Sequence, residues 1–364
     1  MVCSAKKALK VDDSTAAAAK PGGLPWLDVG ELSISGISSG ADLVVQLQVA
    51  FSNLVDGTGV FAGQAYRCAV TRFPLDNLSH VADASVPFCD GCPPNTTLGY
   101  DHCKRHPDVA KNVSRLVEYA KEQAAAGNVS SLQTLAKRKV FLYRGTKDTT
   151  YNKGAVQATA DFFLAAGVPQ PSLFFEKNIQ SAHLVPTIDP YLCWWEEWSG
   201  PDNCTFDGAR HVLEWVHGTK ALAAGRDNRT QKLYGKQYLR DFDQTRYFNK
   251  DGRDALLADT AKVFVPLGCA KAGAKCNVHF FFHGCGVMAT YEVFTQFAGF
   301  NEWAMLNNFV VVYPKMSNRG KITQMSGGCF DGYGDTGRDY ALRSGPQMAT
   351  VANMMRAIGK KPSR

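Results

Sequence analysis

The sequence predicts an α/β fold with a mostly parallel central sheet flanked by helices. Three observations predict it. Short apolar strands alternate with helical segments along most of the chain, which favours a parallel sheet covered by helices. The first strand runs into Gly36-Ile37-Ser38-Ser39-Gly40 and straight on into an apolar helix. A strongly apolar strand, 277–282, opens into His283-Gly284-Cys285-Gly286.

The elements follow in order. Residues 32–35 form a short strand. Residues 41–55 place Leu43, Val44, Leu47, Val49, Ala50 and Leu54 at helical spacing, as a buried helix does. Residues 59–63 read as a second buried strand. The stretch 66–103 is rich in Pro, Cys, Asn and Asp and reads as an irregular excursion pinned by disulfides. Helical segments are expected near 108–126 and 129–137, a strand at 139–144, a helix at 154–166 and a strand at 172–177. A Trp- and Cys-rich excursion spans 190–206 and a helix 209–222. Segments 237–248 and 261–267 look like two strands, possible partners in a hairpin. After strand 277–282 come a helix near 291–307, a strand at 309–313 and an amphipathic helix at 344–358. There is no internal repeat and no coiled-coil heptad.

The chain has 364 residues, 45% of them hydrophobic, enough for a sizeable core. No apolar run approaches the length of a membrane span. The net charge of +7 is scattered rather than clustered, which reads as a solvated surface and not a nucleic-acid footprint. Eleven cysteines are many for a cytosolic enzyme. Asn-x-Ser/Thr sequons stand at Asn77, Asn95, Asn112, Asn128, Asn203 and Asn228. Together they favour an oxidising, secreted setting. Cys193 with Cys204 and Cys269 with Cys276 look like local disulfides, and Cys3 is the expected odd thiol. Cys89, Cys92 and Cys103 with His102 could instead form a zinc knuckle, though a fourth ligand is not evident. Residues 1–23 hold a Lys pair but no apolar signal core, and read as a disordered lead before one domain at 24–364.

The Gly-x-Ser-x-Gly turn is the central chemical signal. Between a strand and a helix it is a nucleophile elbow, exposing the Ser38 hydroxyl at a helix N-terminus. A nucleophilic serine needs a base, and the base an orienting acid. Asp148 follows strand 139–144 and His183 follows strand 172–177, in the chain order this fold class uses. Other histidines fit less well. His102 and His106 precede the acid, His80 has no strand before it, His211 and His217 lie on a helix, and His279 lies within a strand.

An oxyanion hole needs two backbone N–H groups. Ser39 can supply one. The usual His-Gly loop upstream of the serine is missing, and His283-Gly284-Cys285 lies far downstream. The last helix, 344–358, would ordinarily feed into the nucleophile strand, yet that strand opens the chain. The expected architecture is therefore a circularly permuted α/β-hydrolase whose ends meet between these two elements.

At this point the sequence resembles the fungal and bacterial polyhydroxybutyrate depolymerases with a circularly permuted α/β-hydrolase fold. The resemblance spans roughly residues 30–358. It rests on Ser35–Gly40 with Gln46 and Ala50, on Gly59–Gly63 ahead of Tyr66 and Cys68, and on Gly145–Asp148. It continues through Ala182-His183 with Pro186-Thr187, Phe242–Gln244, His283–Cys285, Tyr340-Ala341, Ser344-Gly345 and Gln347-Met348. It implies Ser38, Asp148 and His183 as triad, the N–H groups of Ser39 and Cys285 as oxyanion hole, and a Cys285–Cys329 disulfide. It also implies substrate contacts from aromatic residues after Cys329. Here that segment reads Phe330-Asp331-Gly332-Tyr333, without the family's usual tryptophans, so the preferred ester is an open choice. Trp303 could line the same crevice or sit in the core.

The expected reaction is ester hydrolysis through an acyl-enzyme, needing no metal or organic cofactor, by a secreted monomer with an ester or polyester as its partner. Activity should fall as His183 protonates at low pH. A small-ester or feruloyl-type carbohydrate esterase is the rival within the class. A catalytically silent binding protein is the rival outside it.

Overall fold

The computed structural model describes residues 21–67, 113–148, 150–151, 153–188, 205–218, 238–318, 328–332, 334 and 336–359. The strands are β1 (Asp28–Ile37), β2 (Gly57–Phe61), β3 (Lys139–Tyr143), β4 (Leu173–Glu176), β5 (Leu239–Asp243), β6 (Thr260–Phe264), β7 (Lys275–Phe282) and β8 (Phe309–Tyr313). They form one eight-stranded sheet in the order β4-β3-β2-β1-β7-β8-β6-β5. The pairs from β4 to β8 are parallel, while β8–β6 and β6–β5 are antiparallel. The expected hairpin thus stands as the β5–β6 edge.

The main helices are α1 (Ser39–Ala50), α2 (Val113–Ala125), α3 (Lys153–Ala165), α4 (Gly208–His217), α5 (Val287–Phe297), α6 (Phe300–Asn307) and α7 (Pro346–Ile358). Every residue of α1 is buried, so it presents no polar face to solvent. The central strands are buried on both faces, which is why they read as continuous apolar runs such as Phe280-Phe281-Phe282 and Val310-Val311-Val312. Each fully buried Leu, Val or Phe there contributes about 1.5–3 kcal/mol.

One element differs from the sequence reading. The single helix expected at 291–307 is two, broken at Gly299, whose φ of 90° is left-handed and cannot continue a helix. Residues 22 and 24 are tied to the segment that carries β5. Gly22 O accepts from Asp243 N (2.9 Å), and Leu24 N donates to the Tyr247 hydroxyl (2.7 Å). Cys3, Cys89, Cys92, Cys103, Cys193, Cys204 and Tyr333 lie outside the described residues, as do the Trp194–Trp198 segment and all sequons but Asn128.

The ends of the fold meet as the permutation requires. Leu27 N, one residue ahead of β1, donates to Ile358 O at the end of α7 (2.9 Å). From β1 the chain winds outward through β2, β3 and β4, and later returns to place β7 on the other side of β1. The crevice outside the carboxyl ends of β1 and β7 is a topological switch point, where open α/β sheets bind ligands.

Candidate active site

The carboxyl ends of the strands lie in register. Gly36 sits opposite Phe282 on β7, Ile37 opposite Phe61 on β2, Phe61 opposite Tyr143 on β3, and Tyr143 opposite Glu176 on β4. The residues that follow each strand therefore share one edge of the sheet.

Ser38 follows β1. Its φ of 57° and ψ of −124° are strained for a residue with a Cβ. Its side chain makes no capping bond to α1. Its N–H is held by Phe61 O (3.1 Å), and its carbonyl accepts from Asp42 N (2.9 Å), which closes the first turn of α1. Gly40 is needed because any Cβ there would collide with the carbonyls of Phe282 and His283. The missing Cβ lets the helix start lie against β7.

Asp148 and His183 come from the loops after β3 and β4. These loops pair through Thr146 N to Ile179 O (2.8 Å) and Lys147 N to Ser181 O (3.1 Å). The result is a His183 Nδ1 to Asp148 Oδ2 hydrogen bond of 2.9 Å, with the carboxylate side chain 1% exposed and the imidazole 11%. The other carboxylate oxygen accepts from the N–H groups of Thr150 and Tyr151, each at 2.8 Å. Burial alone would raise the Asp148 carboxyl. The charge and hydrogen bond of His183 and the two backbone bonds outweigh it and hold the acid below its ordinary value. Arg144 braces the turn from outside, donating to Asp148 O (2.7 Å) and Tyr151 O (2.9 Å). No hydrogen bond joins Ser38 to His183 in the structure. Such contacts are commonly long without substrate and tighten when it binds.

The loop after β7 lies across the switch point from Ser38. A Cβ on Gly284 would stand 3.2 Å from Ser38 Cβ. Three contacts hold this loop. Cys285 is bonded to Cys329. Phe330 N, next to that cysteine, donates to Ser39 Oγ (3.3 Å). His283 is the third. Met316 N donates to its Nε2 (3.2 Å), so the ring proton sits on Nδ1, which donates to Gly284 O (2.6 Å). The Gly284–Cys285 peptide is planar. Anchoring its carbonyl on His283 turns the Cys285 N–H to the opposite side.

Several expected residues stand elsewhere. Trp303 is 3% exposed and donates from Nε1 to Asp207 Oδ2 (2.9 Å), and Phe330 is 0% exposed against Phe282 and His283. Both are core side chains, which corrects their reading as crevice lining: each packs inward and offers no face to solvent. Cys269 and Cys276 form the expected local disulfide. A second serine–histidine chain joins Glu31, His217, Ser33, His279 and Ser35 through bonds of 2.6–2.9 Å. Ser33, Ser35 and His279 are wholly buried, so this chain is a polar core and not a second nucleophile site. Sequence reasoning missed Asp42, Arg144 and Tyr151. The only local signal was an acidic residue in the first turn of α1 and an aromatic three residues after Asp148. Among the described residues no cluster of His, Cys, Asp or Glu could hold a metal ion.

No protein-family model matches the chain. Among curated proteins it is 29% identical over 343 residues to a poly(3-hydroxybutyrate) depolymerase of Delftia acidovorans, covering 90% of this chain and 60% of that protein. It is 25% identical over 356 residues to a polyhydroxybutyrate depolymerase of Talaromyces funiculosus, covering 90% and 89%. The chain thus spans about 60% of the length of the Delftia relative. Two solved structures are similar, a PHB depolymerase complexed with an R3HB trimer and a PHB depolymerase from Penicillium funiculosum. Each has a TM-score of 0.69 at 24% identity, covering 93% of this chain and 98% of that one. The chain is similar to these depolymerases over about nine-tenths of its length and shares the fold of the two solved structures.

Proposed function

We propose that this chain is a secreted, monomeric serine esterase that cleaves polyesters of the polyhydroxybutyrate type. Ser38 is the nucleophile, His183 the base and Asp148 the acid. The observation that carries the reading is the 2.9 Å Asp148–His183 pair on the same sheet edge as a strained serine elbow. Relatives named as depolymerases of this polymer support the substrate class. Two disulfides fit an oxidising compartment, and no described helix is long and apolar enough to cross a membrane.

Ser38 Oγ attacks an ester carbonyl while His183 Nε2 takes its proton. The carbonyl oxygen gains the charge and accepts from the N–H groups of Ser39 and Cys285. His183 then protonates the departing alkoxide, the C–O bond breaks, and an acyl-Ser38 remains. Water gives a proton to His183 and attacks the acyl carbon. The carboxylic acid leaves as Ser38 regains its proton. Asp148 keeps the imidazole in the Nδ1–H tautomer and balances the imidazolium.

Hydrolysis of a short p-nitrophenyl ester and release of soluble acid from polyhydroxybutyrate granules should be measured for the wild type and Ser38→Ala. Loss of at least about a thousandfold in both assays is expected. Full activity in the variant would place the nucleophile elsewhere. Wild-type cleavage of the arylester without release from granules would replace the polymer by small or feruloyl-type esters. Failure of a serine-directed phosphonate probe to label the wild type would leave only a binding role.

A further inference from the structure

Tyr151 contacts Asp148 and His183 directly and reaches Ser38 through Asp42. It is wholly buried, and its ring lies parallel to the His183 imidazole, with 2° between planes and 5.4 Å between centroids. Its N–H donates to Asp148 Oδ1 (2.8 Å) and its carbonyl accepts from Arg144 Nε (2.9 Å). Its hydroxyl donates to Asp42 Oδ2 (2.7 Å). Asp42 is 1% exposed in the first turn of α1, and its other oxygen accepts from Gln64 N (2.9 Å). The Asp42 N–H in turn donates to Ser38 O. The three proposed catalytic residues are therefore linked through one tyrosine and one carboxylate.

This arrangement answers a mechanical need. The Asp148 bond holds His183 by one ring edge, and a ring held at one edge can still swing about that contact. A second, flat contact fixes its plane, and with it the direction of Nε2. The face of a phenol ring also carries negative potential, which favours the imidazolium formed as Ser38 loses its proton.

We propose that Tyr151, anchored by Asp42, is a positioning residue that sets the plane of the His183 ring. The inference rests on the triad reading above. It concerns the step from bound ester to acyl-enzyme and not substrate affinity.

The test compares Tyr151→Phe, Tyr151→Leu, Asp42→Asn and the double variant Asp42→Asn/Tyr151→Phe on a soluble arylester. Phenylalanine keeps the stacked face and loses the anchor. Its kcat should fall roughly tenfold, whereas leucine, which loses both, should cost about a hundredfold, with KM within about twofold in each case. Asp42→Asn should lower kcat several-fold, and the double variant should lose less than the product of the two single losses, because both changes weaken the Tyr151–Asp42 bond. A readout without turnover is the far-downfield proton resonance of the Asp148–His183 hydrogen bond. It should be sharp in the wild type and in Tyr151→Phe, and broadened in Tyr151→Leu. An unchanged resonance together with unchanged kcat in Tyr151→Leu would overturn the role. So would losses that appear in KM alone, or additive losses in the double variant. If the wild type shows no Ser38-dependent hydrolysis, the esterase reading fails instead, and the resonance still decides whether Tyr151 orders the histidine.

Discussion

His283 shows how one side chain can govern a reacting centre it does not touch. It is buried in a pocket formed by Phe330 and Tyr291, and burial, opposed by the Gly284 bond and aided by the nearby Lys315 charge, lowers its pKa to about 4. It is neutral at ordinary pH, with Nδ1 as donor and Nε2 as acceptor, and both positions are in use. His283→Ala would leave Gly284 O without that donor and free the Gly284–Cys285 peptide to rotate. We expect kcat to fall about a hundredfold or more, as when one oxyanion donor is lost, with KM little changed. His283→Asn, which keeps a short N–H donor, should recover part of that loss. Steady-state kinetics on an arylester checks both, and a kcat within about twofold of wild type for the alanine variant would remove His283 from this role. The Gly-x-Ser-x-Gly turn and the Asp148–His183 order were visible in the sequence because a few residue types in fixed order carry them. The roles of Tyr151, Asp42 and the His283 ring were not, because the bonds that anchor them join residues far apart in the chain, 33 positions for His283 and Met316 and 109 for Tyr151 and Asp42.

At the scale of elements, the site depends on how closely α1 approaches β7. The elbow turns sharply because Gly36 and Gly40 face each other and the Phe282 carbonyl with no room for a methyl group. Gly40→Ala should push the helix start away from His283-Gly284 and cost about 1–3 kcal/mol or more, the usual penalty for overpacking against backbone that cannot yield. Urea denaturation measures that cost, and the same variant should lose most of its esterase activity even where it remains folded. A midpoint equal to wild type would show that α1 has slack. Elements of this kind were legible where burial is two-sided, as in 139–143 and 309–313, because apolar runs bounded by turn residues leave little choice. The break at Gly299 was not, since the apolar positions on either side keep helical spacing and only the left-handed φ separates α5 from α6. The aromatic residues expected in the crevice failed for a related reason. Trp303 and Phe330 satisfy a core and a crevice equally well by type, and only the Asp207 bond and the packing against Phe282 decide between them.

For the whole molecule, the permuted order was legible because the His-Gly loop and the last helix both lay on the wrong side of Ser38 in the chain, and the Leu27–Ile358 contact closes the gap they imply. Histidines on β7, in the loop after it and on α4, wholly or partly buried, have an effect that is global. Burial lowers His211, His217 and His283, and puts His279 well below its ordinary value of 6.5. In the unfolded chain each would bind a proton near pH 6.5. The folded protein holds them neutral to lower pH, so the unfolded state binds more protons as pH falls. Stability from these groups is therefore fully present above pH 6.5 and is lost progressively below it, until each folded-state value is passed. For His283 alone, with a folded value of about 4, the loss by pH 5 is about 2 kcal/mol. His279 adds to this, because its imidazolium would have to form between Ser33 and Ser35 inside the sheet. Asp148 acts only at lower pH, since its depressed carboxyl stabilises the fold above its unfolded value and loses that contribution on further acidification. Urea midpoints measured between pH 8 and pH 5 should thus be level down to about pH 6.5 and then fall steadily. Replacing His279 by an uncharged residue of similar size, such as Asn or Gln, should flatten that slope even if it lowers the plateau. A midpoint that stays level to pH 5 in the wild type would mean that these histidines are reached by solvent, and that the polar chain from Glu31 to Ser35 opens without unfolding the sheet.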